Sequence, residues 1–336
     1  MAPLSERDAL LAAWRGLTAD GTSGGWQSIP LGAEGGLEIR AARVFPDGDE
    51  AFLVGRSGAA VPGEHSLPQA RGFRSMRLAS GGSGCAWFAV VRNQGGSLDL
   101  FASMASDVLS LLYESAGTTG KTLQRVIARV ASWQRFMERG GDDLLSPEEE
   151  VGLFGELAML RALLDGEADP AGLCACWTGP LGALHDFRFG SGAMEVKTTV
   201  LGTDAHARIA GLWQLDTAVT SPLFLVAVRL VQAEIGATLG DLAEEIRFDI
   251  IRDADAGILF GDRLLAAGLQ PSDHEHYRRR FVVDSIRVHS VKEGFPRLTP
   301  ATTPAAVIAA RYTIDLDQLT PEATTPAAAL ELLRNA

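Results

Sequence analysis

The 336-residue chain is poor in cysteine and lysine and lacks long apolar runs. Its three cysteines, Cys85, Cys174 and Cys176, are an odd number without framework spacing. That excludes a disulfide-stapled secreted domain, and a reducing, cytoplasmic location is expected. The longest apolar run, residues 223–231, is broken by Arg229. It falls far short of the ~20 residues of a membrane helix, so no membrane span is expected. Residues 1–13 carry Glu6 and Asp8 and lack a basic stretch followed by an apolar core, so no signal peptide is expected. No G-x-S-x-G elbow and no G-x-G-x-x-G fingerprint occurs, which argues against the hydrolase-elbow and dinucleotide classes. No internal repeat is visible.

Positive charge is also scarce. The formal net charge is −12. A protein that grips duplex DNA through a basic face alone is usually basic overall. Any nucleic-acid contact here must therefore be local, metal-assisted or aided by a partner. The basic residues are 27 arginines and only three lysines, Lys121, Lys197 and Lys292. Arginine fills most positions that need only positive charge, so each lysine is informative.

What remains is globular. Hydrophobic residues are 46% and charged residues 21%, which excludes disorder and collagen-like repeats. The length allows two domains of roughly 100–200 residues. Residues 1–139 read as a β-rich module. Glycine pairs separate short apolar strands, Trp14 sits on a leading helix, and two helices, 98–114 and 121–138, close it. Residues 140–336 read as a second, α/β unit. Ser146-Pro147-Glu148-Glu149 is a helix start with a capping serine, a first-turn proline and a capping-box glutamate, and the helix should run to about 164. Strands are expected at 184–189, 193–200, 222–231, 281–289 and 312–316. Helices are expected at 211–219, 239–247 and 264–267. Residues 299–306 and 320–328 read as connectors.

Asp186 followed by Glu195-Val196-Lys197 carries the chemistry. On a strand Glu195 and Lys197 share a face, with Met194 and Val196 on the other. A two-residue turn at Gly190-Ser191, which suits type II′, pairs Phe189 with Gly192 and sets Asp186 across from Glu195. A three-residue loop would break that register. Facing carboxylates repel. A divalent cation between them reverses the sign, and carboxylate oxygens with waters are what Mg²⁺ prefers. Lys197 could orient or deprotonate a water, which arginine cannot. A solvated hairpin face with alternating charge is the alternative. Glu156 has Gly152, Leu153, Met159 and Leu160 as helical neighbours, so it has no basic partner on its own helix. Such a carboxylate needs a distant partner or water.

This order of residues resembles the PD-(D/E)XK nuclease superfamily. More closely it is similar to the bacterial "PD-(D/E)XK motif protein" family, a domain of unknown function. The stretches that carry the resemblance are Leu145-Ser146, Gly152-Leu153-Phe154-Gly155-Glu156-Leu157, Trp177-Thr178-Gly179-Pro180, His185-Asp186-Phe187, Glu195-Val196-Lys197-Thr198, Gln214-Leu215, Phe295-Pro296 and Tyr312-Thr313-Ile314-Asp315-Leu316. They span the C-terminal half, with weaker similarity before residue 140. The resemblance implies a restriction-endonuclease-like α-β-β-β-α-β core, a mixed sheet flanked by helices. It implies Mg²⁺ (or Mn²⁺) held by Asp186, Glu195 and the Val196 carbonyl. Lys197 would position the water, Glu156 would be the core-helix acid, and Gln214 would brace the site from the following helix. It further implies metal-dependent cleavage of DNA in bacterial restriction or defence, beside partner proteins and with room for a homodimer. A non-catalytic or partner-dependent DNA-binding scaffold of the same fold is the alternative. His185 stands where the motif has proline, and on a strand it points away from Asp186.

Other candidates are weaker. Arg278-Arg279-Arg280, after Asp273-His274-Glu275-His276, are candidate phosphate contacts on a polar patch. Arg71, Arg74 and Arg77 are a second set. Ser115-Ala116-Gly117-Thr118-Thr119-Gly120-Lys121-Thr122 nearly matches a phosphate-binding loop, but it has serine for the first glycine and follows a helix instead of a strand. Cys174-Ala175-Cys176 without a second pair reads as buried thiols, not zinc.

Overall fold

The computed structural model describes residues 6–18, 25–34, 37–57, 61–79, 85–114, 122–138, 144–165, 167–202, 205–319 and 323–336. The chain divides into two compact units: Met1–Asp143 with Gln270–Ser272, and Leu144–Leu269 with Asp273–Ala336.

The first unit holds helix α1 (Glu6–Gly16), strands β1 (Gly25–Glu34), β2 (Leu37–Phe45), β3 (Asp49–Ser57), β4 (Phe73–Ala79) and β5 (Cys85–Arg92), then helices α2 (Leu98–Glu114) and α3 (Thr122–Glu138). The strands form one antiparallel sheet in the order β1-β2-β3-β5-β4. Trp14 on α1 is buried and donates its indole N–H to the Ala51 carbonyl at 2.8 Å. Its ring meets Phe101 of α2 at 5.5 Å. A buried tryptophan needs such an acceptor, and here the bond ties the leading helix to β3. The near-match to a phosphate loop lies, except for Thr122, outside the described residues; helices α2 and α3 flank it.

The second unit contains helices α4 (Pro147–Leu164) and α5 (Pro170–Cys176), strands β6 (Phe187–Phe189), β7 (Gly192–Val200), β8 (His206–Ile209) and β9 (Leu223–Ala237), and helices α6 (Leu239–Asp249) and α7 (Ala254–Ala267). Strands β10 (Phe281–Ser290), β11 (Tyr312–Asp315) and β12 (Ala323–Thr324) and helix α8 (Pro326–Arg334) follow. Five strands make a mixed sheet in the order β12-β10-β9-β7-β6, in which β7 and β9 run parallel. Central β9 is apolar on both faces, as a strand covered on both sides must be. Met194, Val196, Phe224, Val226 and Val228 face a core shared with α4 residues Leu153, Phe154 and Leu157. Ala193, Leu223, Leu225 and Ala227 face a smaller cluster with Ile209 and Ile314 of the β8–β11 pair. The fold is thus mixed α/β with several sheets.

Helix α4 begins as expected. Ser146 accepts from the Glu149 N–H, and the Glu149 carboxylate accepts from the Ser146 N–H at 2.8 Å. The β6–β7 turn pairs Phe189 with Gly192. Gly190 has φ +56° and among the described residues, Ser191 included, no non-glycine residue has positive φ, which fits type II′ and excludes type I′.

Two expectations fail. Residues 211–219 are turns, not a helix. The Gln214 carboxamide oxygen accepts from the Ala210 N–H at 2.7 Å, and the Asp216 carboxylate accepts from the Ala218 N–H at 3.0 Å. Such local side-chain bonds compete with helix formation. The connector expected at 320–328 contains the start of α8, where Thr325 caps and Pro326 takes the first turn. Its Thr/Pro/Ala composition disguises a helix start.

Candidate active site

Asp186 stands immediately before β6, and Glu195 and Lys197 lie on β7. The hairpin register pairs Phe187 with Met194, one residue short of Asp186 and Glu195, and the Asp186 charge acts on Glu195. Asp186 does not simply face its neighbour. Its Oδ2 accepts from the Val196 N–H at 2.7 Å. At Val196 it is therefore the N–H that meets the acid. Glu195 is 2% exposed. Its Oε1 receives Lys197 Nζ at 2.7 Å and Gln214 Nε2 at 2.5 Å. Its Oε2 is buried and has no hydrogen-bond partner among the described residues. An orphaned carboxylate oxygen inside a protein carries a desolvation penalty of ~1–3 kcal/mol or more.

Glu156 projects from α4 and accepts from the Trp177 indole N–H at 2.7 Å. The Trp177–Gly179 turn is tied to Asp186 in turn. Thr178 and Gly179 donate their N–H groups to the Asp186 carbonyl at 2.7 and 2.9 Å. A Cβ on residue 179 would lie 2.8 Å from Asp186 Oδ1 and 2.9 Å from Glu156 Oε2. Glycine there lets the turn close onto two carboxylates at once.

Gln214 acts from a turn, where a helix was expected. Its carbonyl accepts from His185 Nε2 at 2.9 Å. His185 is buried, and burial holds its pKa down. It therefore serves as a brace between two loops; it lies in a bend before β6, not on a strand, so the parity expected for it does not apply.

The electrostatics are those of crowded acids. Burial first, then the Asp186 charge, pushes Glu156 up to about 8, against the Trp177 bond and Lys197. Burial raises Asp186, with the Val196 N–H and Lys197 pulling the other way. Glu195 is raised well above the carboxylate range by burial and by Asp186. Lys197 is the cation that pulls all three down. Among the described residues no group of three or more His, Cys, Asp or Glu side chains is gathered as a ready metal cage. Asp186 Oδ2 and Glu195 Oε1 are turned to protein donors instead.

A raised acid in the folded state binds protons more tightly than in the unfolded chain. Stability should therefore fall as pH rises from about 4.5 toward about 8. Buried His185 and His289 and half-buried His274, whose pKa values are lowered by desolvation, act the opposite way, but only below about 6.5. Between about pH 6.5 and 8 the acid cluster should dominate. Metal-free wild-type protein is expected to lose melting temperature over that window, and Glu156→Gln to lose clearly less. Parallel melting curves for the two would refute the placement of Glu156.

The other candidates lie elsewhere. Arg279 binds Glu150 Oε2 at 2.6 Å and lies over the Phe281 ring. Arg280 binds the Gly236 carbonyl at 2.8 Å and Asp241 at 3.2 Å. Arg278 is exposed and donates to the Glu275 carbonyl at 3.3 Å. Arg74 is paired with Asp49. Cys174 and Cys176 sit on α5 as free thiols, and burial pushes Cys174 up to about 12, far from the thiolate that zinc needs. Trp177 and Gly179 have no assigned role in the sequence pattern, although their tetrapeptide carries part of the resemblance. The available signal was a tryptophan in an apolar stretch, whose N–H must find an acceptor.

An α/β sheet carrying Asp186 and the Glu195-x-Lys197 pair, with a helix glutamate beside them, is the pattern of nuclease-like proteins. The chain belongs to the PD-(D/E)XK family: the family model DUF4420, described as "Putative PD-(D/E)XK family member", matches residues 10–317. The match takes in the N-terminal unit as well as the half that carries the short motifs. Neither the curated proteins nor the solved structures give a match to this chain. No helix among the described residues is long and apolar enough to cross a membrane.

Proposed function

We propose that the chain is a divalent-metal-dependent DNA endonuclease whose core is formed by α4, β6, β7 and β9. The observation that carries this reading is the orphaned Oε2 of buried Glu195 inside a cluster with two half-buried carboxylates, Glu156 and Asp186, that shares one lysine. In the metal-free fold such a cluster is destabilising, and a bound cation would make it favourable. The donor set fits: Mg²⁺ is commonly held by one or two carboxylates and keeps several waters, so Asp186 and Glu195 suffice without a third acid.

Asp186 and Glu195 would hold Mg²⁺ or Mn²⁺, which when bound supplies an acidified water and charge neutralisation at a phosphoryl group. The chain's own residues do the rest. Gln214 and Lys197 fix the Glu195 carboxylate, so its free oxygen stays aimed. The Val196 N–H fixes Asp186. Lys197 places a compact ammonium beside Glu195, where it can orient an attacking water. Trp177 holds Glu156, whose raised pKa lets it keep or give up a proton near neutral pH. Work in bacterial restriction or defence, with partner proteins or a second copy of the chain, follows from the resemblance alone. The net charge of −12 favours a second reading, a partner-dependent DNA-binding scaffold.

Metal should raise the melting temperature. At about 100 times Kd, Mg²⁺ or Mn²⁺ should add roughly 2.7 kcal/mol. Asp186→Ala should remove that response. An equal metal response in wild type and variant would refute the site.

A further inference from the structure

Trp14, Trp133 and Trp177 are fully buried, but Trp213 is 53% exposed although Leu212 and Leu215 beside it are buried. Its indole has no partner among the described residues. Its place is fixed by the acid cluster. The next residue, Gln214, donates to Glu195 and accepts from His185. On the other side of that bridge, Leu184 is 46% exposed. This link is thus flanked in sequence by an exposed tryptophan and an exposed leucine.

Cations near this bridge are few. Lys197 is paired with Glu195, Arg188 acts on His185, and Arg297 donates to the Leu215 carbonyl at 2.9 Å. The chain as a whole is acidic. Little affinity for nucleic acid can come from counterion release. Stacking on an aromatic ring is the alternative source, and it accepts any base. A base inside a duplex has both faces covered, so stacking requires one that is unpaired or extruded.

We propose that Trp213 is a stacking ledge for an unpaired base next to the acid cluster, and that the substrate is DNA single-stranded at the cut. This rests on the phosphodiester reading above. Full-length protein in EDTA, titrated with a short single-stranded oligonucleotide, should show quenched tryptophan emission. Trp213→Ala should weaken binding about 10-fold and remove part of the quench, while Trp213→Phe should retain most of the affinity. Binding should fall by less than about 10-fold between 50 and 200 mM salt, against the roughly 10³ or more of a protein that neutralises many phosphates. Equal affinity of wild type and Trp213→Ala for the single strand, or preferential binding of the matching duplex, would overturn the ledge. If wild type still cleaves in Mn²⁺ under either of those results, the nuclease reading stands and the ledge alone fails. If Trp213-dependent binding occurs with no cleavage in any divalent metal, the ledge stands and the nuclease reading fails.

Discussion

Replacing Lys197 by arginine is expected to lower cleavage of plasmid or single-stranded DNA in Mn²⁺ by about 10² or more, while DNA retention in a gel shift stays within a few-fold. The side chain sits 2.7 Å from Glu195 Oε1 and is mostly buried. That space admits a compact ammonium, which can hold Glu195 and still present a proton to a neighbouring water. A guanidinium is wider and planar, and it does not exchange a proton near neutral pH. In this place it would pair with Glu195 in a fork and occupy the volume of the water. The chain uses lysine only three times against 27 arginines, so a lysine here is a choice against the local habit. A scaffold needs only the charge, and the arginine variant would then match wild type in every assay. If the wild type fails to cleave with any divalent metal or candidate partner, and the variant behaves identically, the scaffold reading replaces the enzyme.

Legibility of the sequence varied with the range of the interaction. The start of α4 is local chemistry, four residues long, and the capping box is present as read. The β6–β7 hairpin is also local. Period-two alternation and a two-residue glycine turn are enough to bring Asp186 to Glu195 and to put Lys197 beside Glu195. Gln214 reaches Glu195 as the resemblance implies, but from a turn that Asp216 and Gln214 themselves stabilise. Hydrophobic spacing in 211–219 could not reveal that. The Trp177–Glu156 bond spans 21 residues and a helix-to-loop change of direction, so no spacing rule points to it. The arginine run 278–280 reads as a basic patch. Its fate depends on Glu150 and Asp241, both distant in sequence, which bind two of its members.

Gly155→Ala should destabilise the protein by about 1–3 kcal/mol, the range for overpacking a well-filled core. Helix α4 lies against β7 so closely that a Cβ on residue 155 would meet Thr198 Oγ1 at 1.8 Å and Thr198 Cβ and Cγ2 at 2.8 Å. Rotating Thr198 can relieve the hydroxyl overlap but not the contact with its Cβ, which is fixed to the backbone of β7. The helix must therefore move off the sheet. Glu156 is the next residue, and its carboxylate accepts from Trp177, so the same displacement should draw it away from Asp186. A lower melting temperature should thus appear together with a weakened metal response. Thr198→Ala removes Oγ1 and Cγ2 and should restore part of both losses in the double variant, a positive coupling measurable by a double-mutant cycle. Additive losses would show that α4 does not bear on Thr198. A destabilised Gly155→Ala protein with an undiminished metal response would show that Glu156 takes no part in holding the cation.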